Sequence, residues 1–166
     1  VNLSYLLQQQ GKRNEARRLL IKSTTKLRDE AAPWYLLAAL SEKAGDQQQA
    51  KKRFHKAIKV DPLNGFAWLH LAEFQSRHQR AHQTIKQATK SAAKAIRLLP
   101  ACAPCWRVYG EILEQNKAHE KALHAYQRSL AIHPSNKTRK LLITALRSLG
   151  ENKRADIMQR ALADDR

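Results

Sequence analysis

A spacing of 34 residues recurs along the sequence and constrains the fold more than any other feature. Four pairs of identical residues show this spacing: Gly11 and Gly45, Ala16 and Ala50, Trp34 and Trp68, and Pro100 and Pro134. Apolar residues recur at intervals of three and four, β-branched residues are sparse, and the 166 residues include only five Gly and five Pro. This combination predicts a chain built of helices. The recurrence predicts helical units in tandem, each of which needs its neighbours to bury its apolar face.

The unit is clearest in PWYLLAALSEKAGDQQQAKKRFHKAIKVDP, residues 33–62. Its key positions are Trp34, Leu37, Ala38, Gly45, Ala50, Phe54, Ala57 and Pro62. This order resembles the tetratricopeptide repeat, in which a helix carrying an aromatic and a small residue turns at Gly and returns as a second helix. The resemblance implies an all-α fold, a right-handed α-solenoid of antiparallel helix pairs with about four to five repeats.

The resemblance covers nearly the whole chain and predicts one repeat domain over residues 1–166. The expected units are a partial repeat at 1–29, complete repeats at 31–62, 65–100 and 103–134, and a degenerate repeat or cap at 136–166. Trp68 and Trp106 are 38 residues apart. The four extra residues fall between Phe74 and Ala88, where they are expected to lengthen a loop or a helix end. Since residues 3–10 enter in the middle of a first helix, the chain is expected to come from a longer array.

The aromatic residues at the repeat positions are interpreted as packing residues first, and binding residues are sought elsewhere. The resemblance implies a concave surface lined by the first helix of each pair. We call the following set the predicted groove: Tyr35, Leu36, Phe66, Leu69, His70, Glu73, Arg77, Arg107 and Glu111. Such a mixture of apolar and charged side chains suits an extended or helical segment of a protein partner.

Positive charge is the second strong feature of the composition. Thirty-one Lys and Arg against fourteen Asp and Glu give a net charge of +17, which favours anionic partners. Residues 74–110, a stretch of 37, contain no carboxylate. Basic residues recur in phase on the second helices, and we call them the basic ridge: Arg18, Lys22, Lys52, Lys56, Lys59, Lys90, Lys94, Arg97 and Arg128. Two interpretations stay open, a solvated face and a contact surface for RNA or an acidic protein segment, with an anionic membrane as a third partner class.

No catalytic constellation is present in the sequence. There is no Gly-rich phosphate loop and no G-x-S-x-G motif, and the carboxylates show no repeated pairing. The sequence therefore predicts no enzyme and no cofactor. It predicts a scaffold that binds a partner segment in the groove within a larger complex, with RNA binding by the ridge as the alternative.

Cys102 and Cys105 have the spacing of half a zinc site or of a redox pair. His78 and His82 could complete a metal set, but a closed zinc site needs four ligands and no second cysteine pair exists. The favoured interpretation is two thiols where the chain enters a helix near Pro104. Two cysteines make no disulfide framework, and no apolar run has the length of a membrane span. An intracellular protein, cytoplasmic or nuclear, is therefore expected, and its oligomeric state is left open.

Overall fold

The computed structural model describes residues 11–78 and 82–164, except for the side chains of His82 and Asp164. All regular elements in this part of the chain are α-helices, which confirms the predicted all-α class. They are α1 (Arg13–Lys26), α2 (Ala31–Lys43), α3 (Gln47–Val60), α4 (Gly65–His78), α5 (His82–Leu98), α6 (Ala103–Gln115), α7 (His119–Ile132), α8 (Asn136–Ser148) and α9 (Asn152–Asp164). Among these described helices, none combines the length and apolar character needed to cross a membrane. The prediction for residues 3–10 lies outside the described residues.

The turns within the helix pairs depend on local backbone chemistry. Gly45, which follows α2, has φ +85°, a left-handed conformation that glycine adopts without steric cost. The next residue, Asp46, caps α3 by accepting a hydrogen bond from the backbone N–H of Gln49 at 2.9 Å. The corresponding turn before α7 has Lys117 at φ 57°. The turn geometry is therefore retained there although the glycine is not.

Two compact units divide the chain after Phe74. In the first unit, α2 packs against α1 and α3. Its core is formed by buried residues of α2, α3 and α4 that stack on one another, namely Ala38, Ala50, Phe54, Leu71 and Phe74. The rings of Phe54 and Phe74 have centroids 5.3 Å apart. Consecutive helix pairs thus share one core, as a repeat array requires.

The second unit has its core between α6, α7, α8 and α9. The ring of Tyr126 on α7 is buried directly against the backbone of Gly110 on α6. A Cβ atom placed on Gly110 would lie 2.4 Å from Cε1 of Tyr126. The core continues into the C-terminal pair, where Leu142 and Ile143 of α8 pack with Leu162 of α9.

The extra residues between the second and third tryptophans fall where α5 begins. This helix has 17 residues, compared with 14 in α3. Some of the added length therefore continues the helix, while residues 79–81 lie outside the described part.

Each tryptophan stands near the start of the first helix of its pair. The indole Nε1 of Trp68 donates to the carbonyl of Pro62 at 2.8 Å, and that of Trp106 donates to the carbonyl of Pro100 at 2.9 Å. These bonds tie a helix to the end of the preceding pair. The Nε1 of Trp34 is buried and has no hydrogen-bond partner among the described residues.

The structure corrects the interpretation of the two cysteines as free thiols. Cys102 and Cys105 are joined by a disulfide with an S–S distance of 2.08 Å. The physical reason is that the first turn of α6 places the two Cα atoms 5.2 Å apart, within the range that a disulfide spans. The expected intracellular location depended on unpaired cysteines, so it stays a prediction without that support.

Candidate partner-binding site

An aromatic stack joins the first helices of two consecutive pairs in the first unit. The ring of Tyr35 on α2 lies against the imidazole of His70 on α4, with centroids 4.9 Å apart and an interplanar angle of 28°. Tyr35 also packs against two of the core clusters of this unit, and burial raises the pKa of its hydroxyl group. The core residues that pack against Tyr35 therefore hold the stack in place.

Three predicted groove residues of α4 share one face of that helix. Phe66, His70 and Glu73 follow the spacing i, i+4 and i+7, which places them in a row. Phe66 is 47% exposed. The Nδ1 atom of His70 lies 3.2 Å from Oε2 of Glu73. Together with Tyr35 these residues form what we call the aromatic site: an exposed ring, a stacked pair of rings and a carboxylate.

Two other residues of the predicted groove contribute mainly to packing. Leu69 is only 5% exposed. Leu36 is half-buried and packs against a cluster that contains Leu20 of α1. Their burial is set by neighbouring helices, and they offer less surface to a partner than Phe66 does.

The remaining groove residues lie in the second unit. Arg107 and Glu111 form a hydrogen-bonded ion pair along α6. Arg77 is exposed and lines an open pocket with Ser76, Ile85 and Gln115, in which Ser76 donates to the Gln115 side chain at 3.0 Å. The predicted groove residues are therefore divided between the two units, six in the first and three in the second.

The basic ridge is largely free of ionic partners. Eight of its nine side chains are exposed, and Lys94 is half-buried. Within the described ranges, none of the nine forms an ion pair. Lys56 places its Nζ atom 5.6 Å from the centroid of the Trp34 ring, a cation–π contact that supports packing.

The sequence analysis missed a neighbouring pair of like charges. Arg53 on α3 donates a hydrogen bond to Ser41. Partial burial, and then the positive charge of Arg17 on α1, lower the pKa of Arg53. Positive side chains of successive second helices thus come close enough to repel each other in the first unit. Arg17 and Arg53 are 36 residues apart, outside the 34-residue phase of the ridge, so the repeat pattern gave no signal for this pair.

No metal site is formed by the part of the chain that the structure describes, since it contains no suitable group of three or more His, Cys, Asp and Glu side chains. The metal set considered from the sequence included His82, whose side chain lies outside that part. Cys102 and Cys105, its two sulfur ligands, are bonded to each other.

Comparison with known proteins identifies the repeats. Family models described as tetratricopeptide repeat match residues 31–74 and 71–137. A comparison with curated proteins gave no match.

Several solved structures share the fold. One is MamA, residue 41 to the end, from Desulfovibrio magneticus RS-1, which is 20% identical in sequence. The match covers 98% of this chain and 90% of that chain, with a TM-score of 0.79. A thermophilic repeat protein of Thermus thermophilus has 19% identity, 99% and 88% coverage and a TM-score of 0.79. PilF of Pseudomonas aeruginosa has 18% identity, 98% and 73% coverage and a TM-score of 0.86. At these identities the likeness concerns the fold alone, and it confirms the predicted solenoid class.

Proposed function

The chain belongs to the tetratricopeptide-repeat family, and we propose that it is a non-enzymatic scaffold that binds a segment of a protein partner at the aromatic site. The repeats and the structural relatives support a role in protein–protein interaction in general. Our proposal assigns this role to the aromatic site of the first unit.

The exposure of Phe66 carries the proposal. A phenyl ring that is 47% exposed presents apolar surface to water beside the Tyr35–His70 stack. Covering such a ring with an apolar side chain removes that surface from water and is favourable. Glu73, at the other end of the row, supplies a polar rim. These features favour an extended or helical peptide with an apolar anchor residue.

The test is selection of peptides from a displayed library on the full chain, followed by affinity measurement by fluorescence anisotropy. Phe66→Ala and His70→Ala are each expected to weaken binding of the selected peptides about tenfold, as hot-spot truncations do. Leu63→Ala is the matched control because Leu63 is apolar, 72% exposed and outside the site, in the turn before α4. Equal affinity in all three variants, each verified as folded by circular dichroism, contradicts the proposed site.

A second candidate function is contact of the basic ridge with RNA. Its support is the exposure of eight ridge side chains together with the absence of ion pairs for the ridge within the described residues. Lys and Arg contacts to phosphates release counterions, so binding of this kind weakens steeply as salt is added.

A charge-matched pair of variants tests this candidate. The ridge variant carries Lys52→Glu, Lys90→Glu and Arg97→Glu, and the control carries Lys121→Glu, Lys137→Glu and Lys153→Glu, also at exposed positions. Both have the same net charge. Single-stranded RNA, duplex DNA and poly-glutamate are compared at low and moderate salt. Selective loss of RNA binding in the ridge variant supports the candidate, whereas equal weakening in both variants shows attraction to overall charge only.

A further inference from the structure

The two residues of the disulfide, Cys102 and Cys105, differ in their exposure to solvent. Cys105 is fully buried, whereas Cys102 is partly exposed. Cys102 is the residue that precedes α6, and its Sγ atom accepts a hydrogen bond from the backbone N–H of Cys105 at 3.2 Å. The residue of the pair that has surface open to an external molecule is therefore Cys102.

The surrounding structure holds this asymmetry in place. The hydroxyl of Ser129 on α7 donates to the carbonyl of Ala103 at 2.8 Å, which fixes the first turn of α6. One turn further along, the indole of Trp106 donates to the carbonyl of Pro100 at 2.9 Å. Neither bond involves a cysteine, so both remain available when the disulfide is broken.

We propose that this disulfide is a site of thiol–disulfide exchange, in which Cys102 reacts with small thiols of the glutathione class and Cys105 is the resolving cysteine. An incoming thiolate attacks Sγ of Cys102. The Cys102–Cys105 bond breaks, a mixed disulfide forms at Cys102, and the electron pair stays on the Cys105 sulfur, which takes up a proton. A second thiolate attacks the small thiol's sulfur and releases Cys102 as a thiolate. The two small thiols leave as their disulfide, oxidised by two electrons, and the cysteine pair is reduced.

The reactive role of Cys102 and the resolving role of Cys105 follow from their positions at the start of α6. The Cys105 N–H group and the positive end of a 13-residue helix stabilise a thiolate at Cys102. The buried sulfur of Cys105 lacks solvent, which favours its protonated form. In the reverse reaction, Cys105 attacks the mixed disulfide at Cys102 and restores the bond, as a resolving cysteine does.

Single-cysteine variants of the full chain test which sulfur reacts. Cys105→Ser leaves Cys102, and Cys102→Ser leaves Cys105. After reduction and removal of the reductant, each variant is incubated with glutathione disulfide at neutral pH, and mixed-disulfide formation is followed by intact mass. We expect Cys105→Ser to react at least about tenfold faster in the folded state. In urea the two rates should converge. Equal rates in the folded variants, or a faster Cys102→Ser, overturn the proposal.

A second measurement uses the unaltered chain, so its result does not depend on whether a cysteine variant folds. It is equilibrated in glutathione buffers of graded redox ratio, alkylated and mapped by peptide mass spectrometry. We expect a reversible change from disulfide to dithiol across the series, with the trapped glutathione on Cys102. A pair that stays fully bonded in every buffer, or one in which glutathione is found on Cys105, contradicts the proposal.

Discussion

At the scale of single residues, Gly110 shows how closely α6 and α7 pack. Its missing side chain leaves room for the buried ring of Tyr126. At the corresponding position of an earlier pair, Ala38 shares a core cluster with Phe54. In these two pairs the small residue of the first helix is thus matched to the aromatic residue of the second.

Gly110→Ala is expected to lower the free energy of unfolding by about 2 kcal/mol or more, because the added methyl group overlaps the Tyr126 ring. Urea denaturation followed by circular dichroism measures this. In a Tyr126→Leu background the same substitution should cost less, since the ring is gone. An equal loss in both backgrounds means that the ring is not the cause.

Lys117 is strained at a turn where a glycine would not be. Its φ of 57° lies in the left-handed region that costs an L-residue roughly 1–2 kcal/mol. Lys117→Gly is expected to raise the free energy of unfolding by about 0.5 kcal/mol, since greater unfolded-chain entropy offsets part of the relief. Gly45→Ala, at a position with no heavy atom within 4 Å of the new Cβ, should lower it. Both are measured by urea denaturation, and a destabilised Lys117→Gly contradicts the strain argument.

Residue types predicted some of these features and not others. The packing role of Phe54 and Tyr126 could be predicted because large aromatic side chains at repeat positions have few alternatives to burial. The backbone strain at Lys117 could not, since lysine carries no signal for positive φ. The pairing of Cys102 with Cys105 depends on where α6 begins, and helix ends are uncertain in any pattern-based prediction.

At the scale of the helices, α9 is a two-faced element that closes the described C-terminal core. Leu162 is 4% exposed and packs in the core shared with α8, whereas Ile157 on the same helix is 67% exposed. The spacing of apolar residues predicted this pair of helices, but it did not show which side chains face inward.

Leu162→Ala is expected to lower the free energy of unfolding by about 2 kcal/mol, the low end of the range for a buried leucine. Ile157→Ala is the control on the exposed face and should change it by less than about 0.5 kcal/mol. Thermal and urea denaturation measure both variants. Similar losses in the two variants contradict the packing of α9 described above.

At the scale of the whole molecule, the net positive charge follows directly from the residue counts. A net charge of +17 on 166 residues produces repulsion that the unfolded chain relieves by expanding. The family was also predictable, because the 34-residue spacing is a local pattern. Which side chains of the predicted groove are exposed was harder to predict. The burial of Leu36 and Leu69 depends on how neighbouring helices stack.

Added salt is expected to stabilise the protein. Raising sodium chloride from about 0.01 M to about 0.15 M shortens the screening length from about 30 Å to about 8 Å and weakens the repulsion among the basic side chains. The thermal midpoint should rise by a few degrees, as measured by circular dichroism. The variant with Glu at positions 121, 137 and 153 should show a smaller rise. A midpoint that is constant or falls with salt contradicts this expectation.

The three tryptophans give successive helix pairs separate optical reporters. Trp68 and Trp106 each donate a hydrogen bond to a proline carbonyl, whereas the Trp34 indole lies beneath the Lys56 ammonium group. Indoles in such different electrostatic surroundings emit at different wavelengths. Variants that keep one tryptophan and replace the other two with phenylalanine would therefore show, by fluorescence, the order in which the repeats lose their structure.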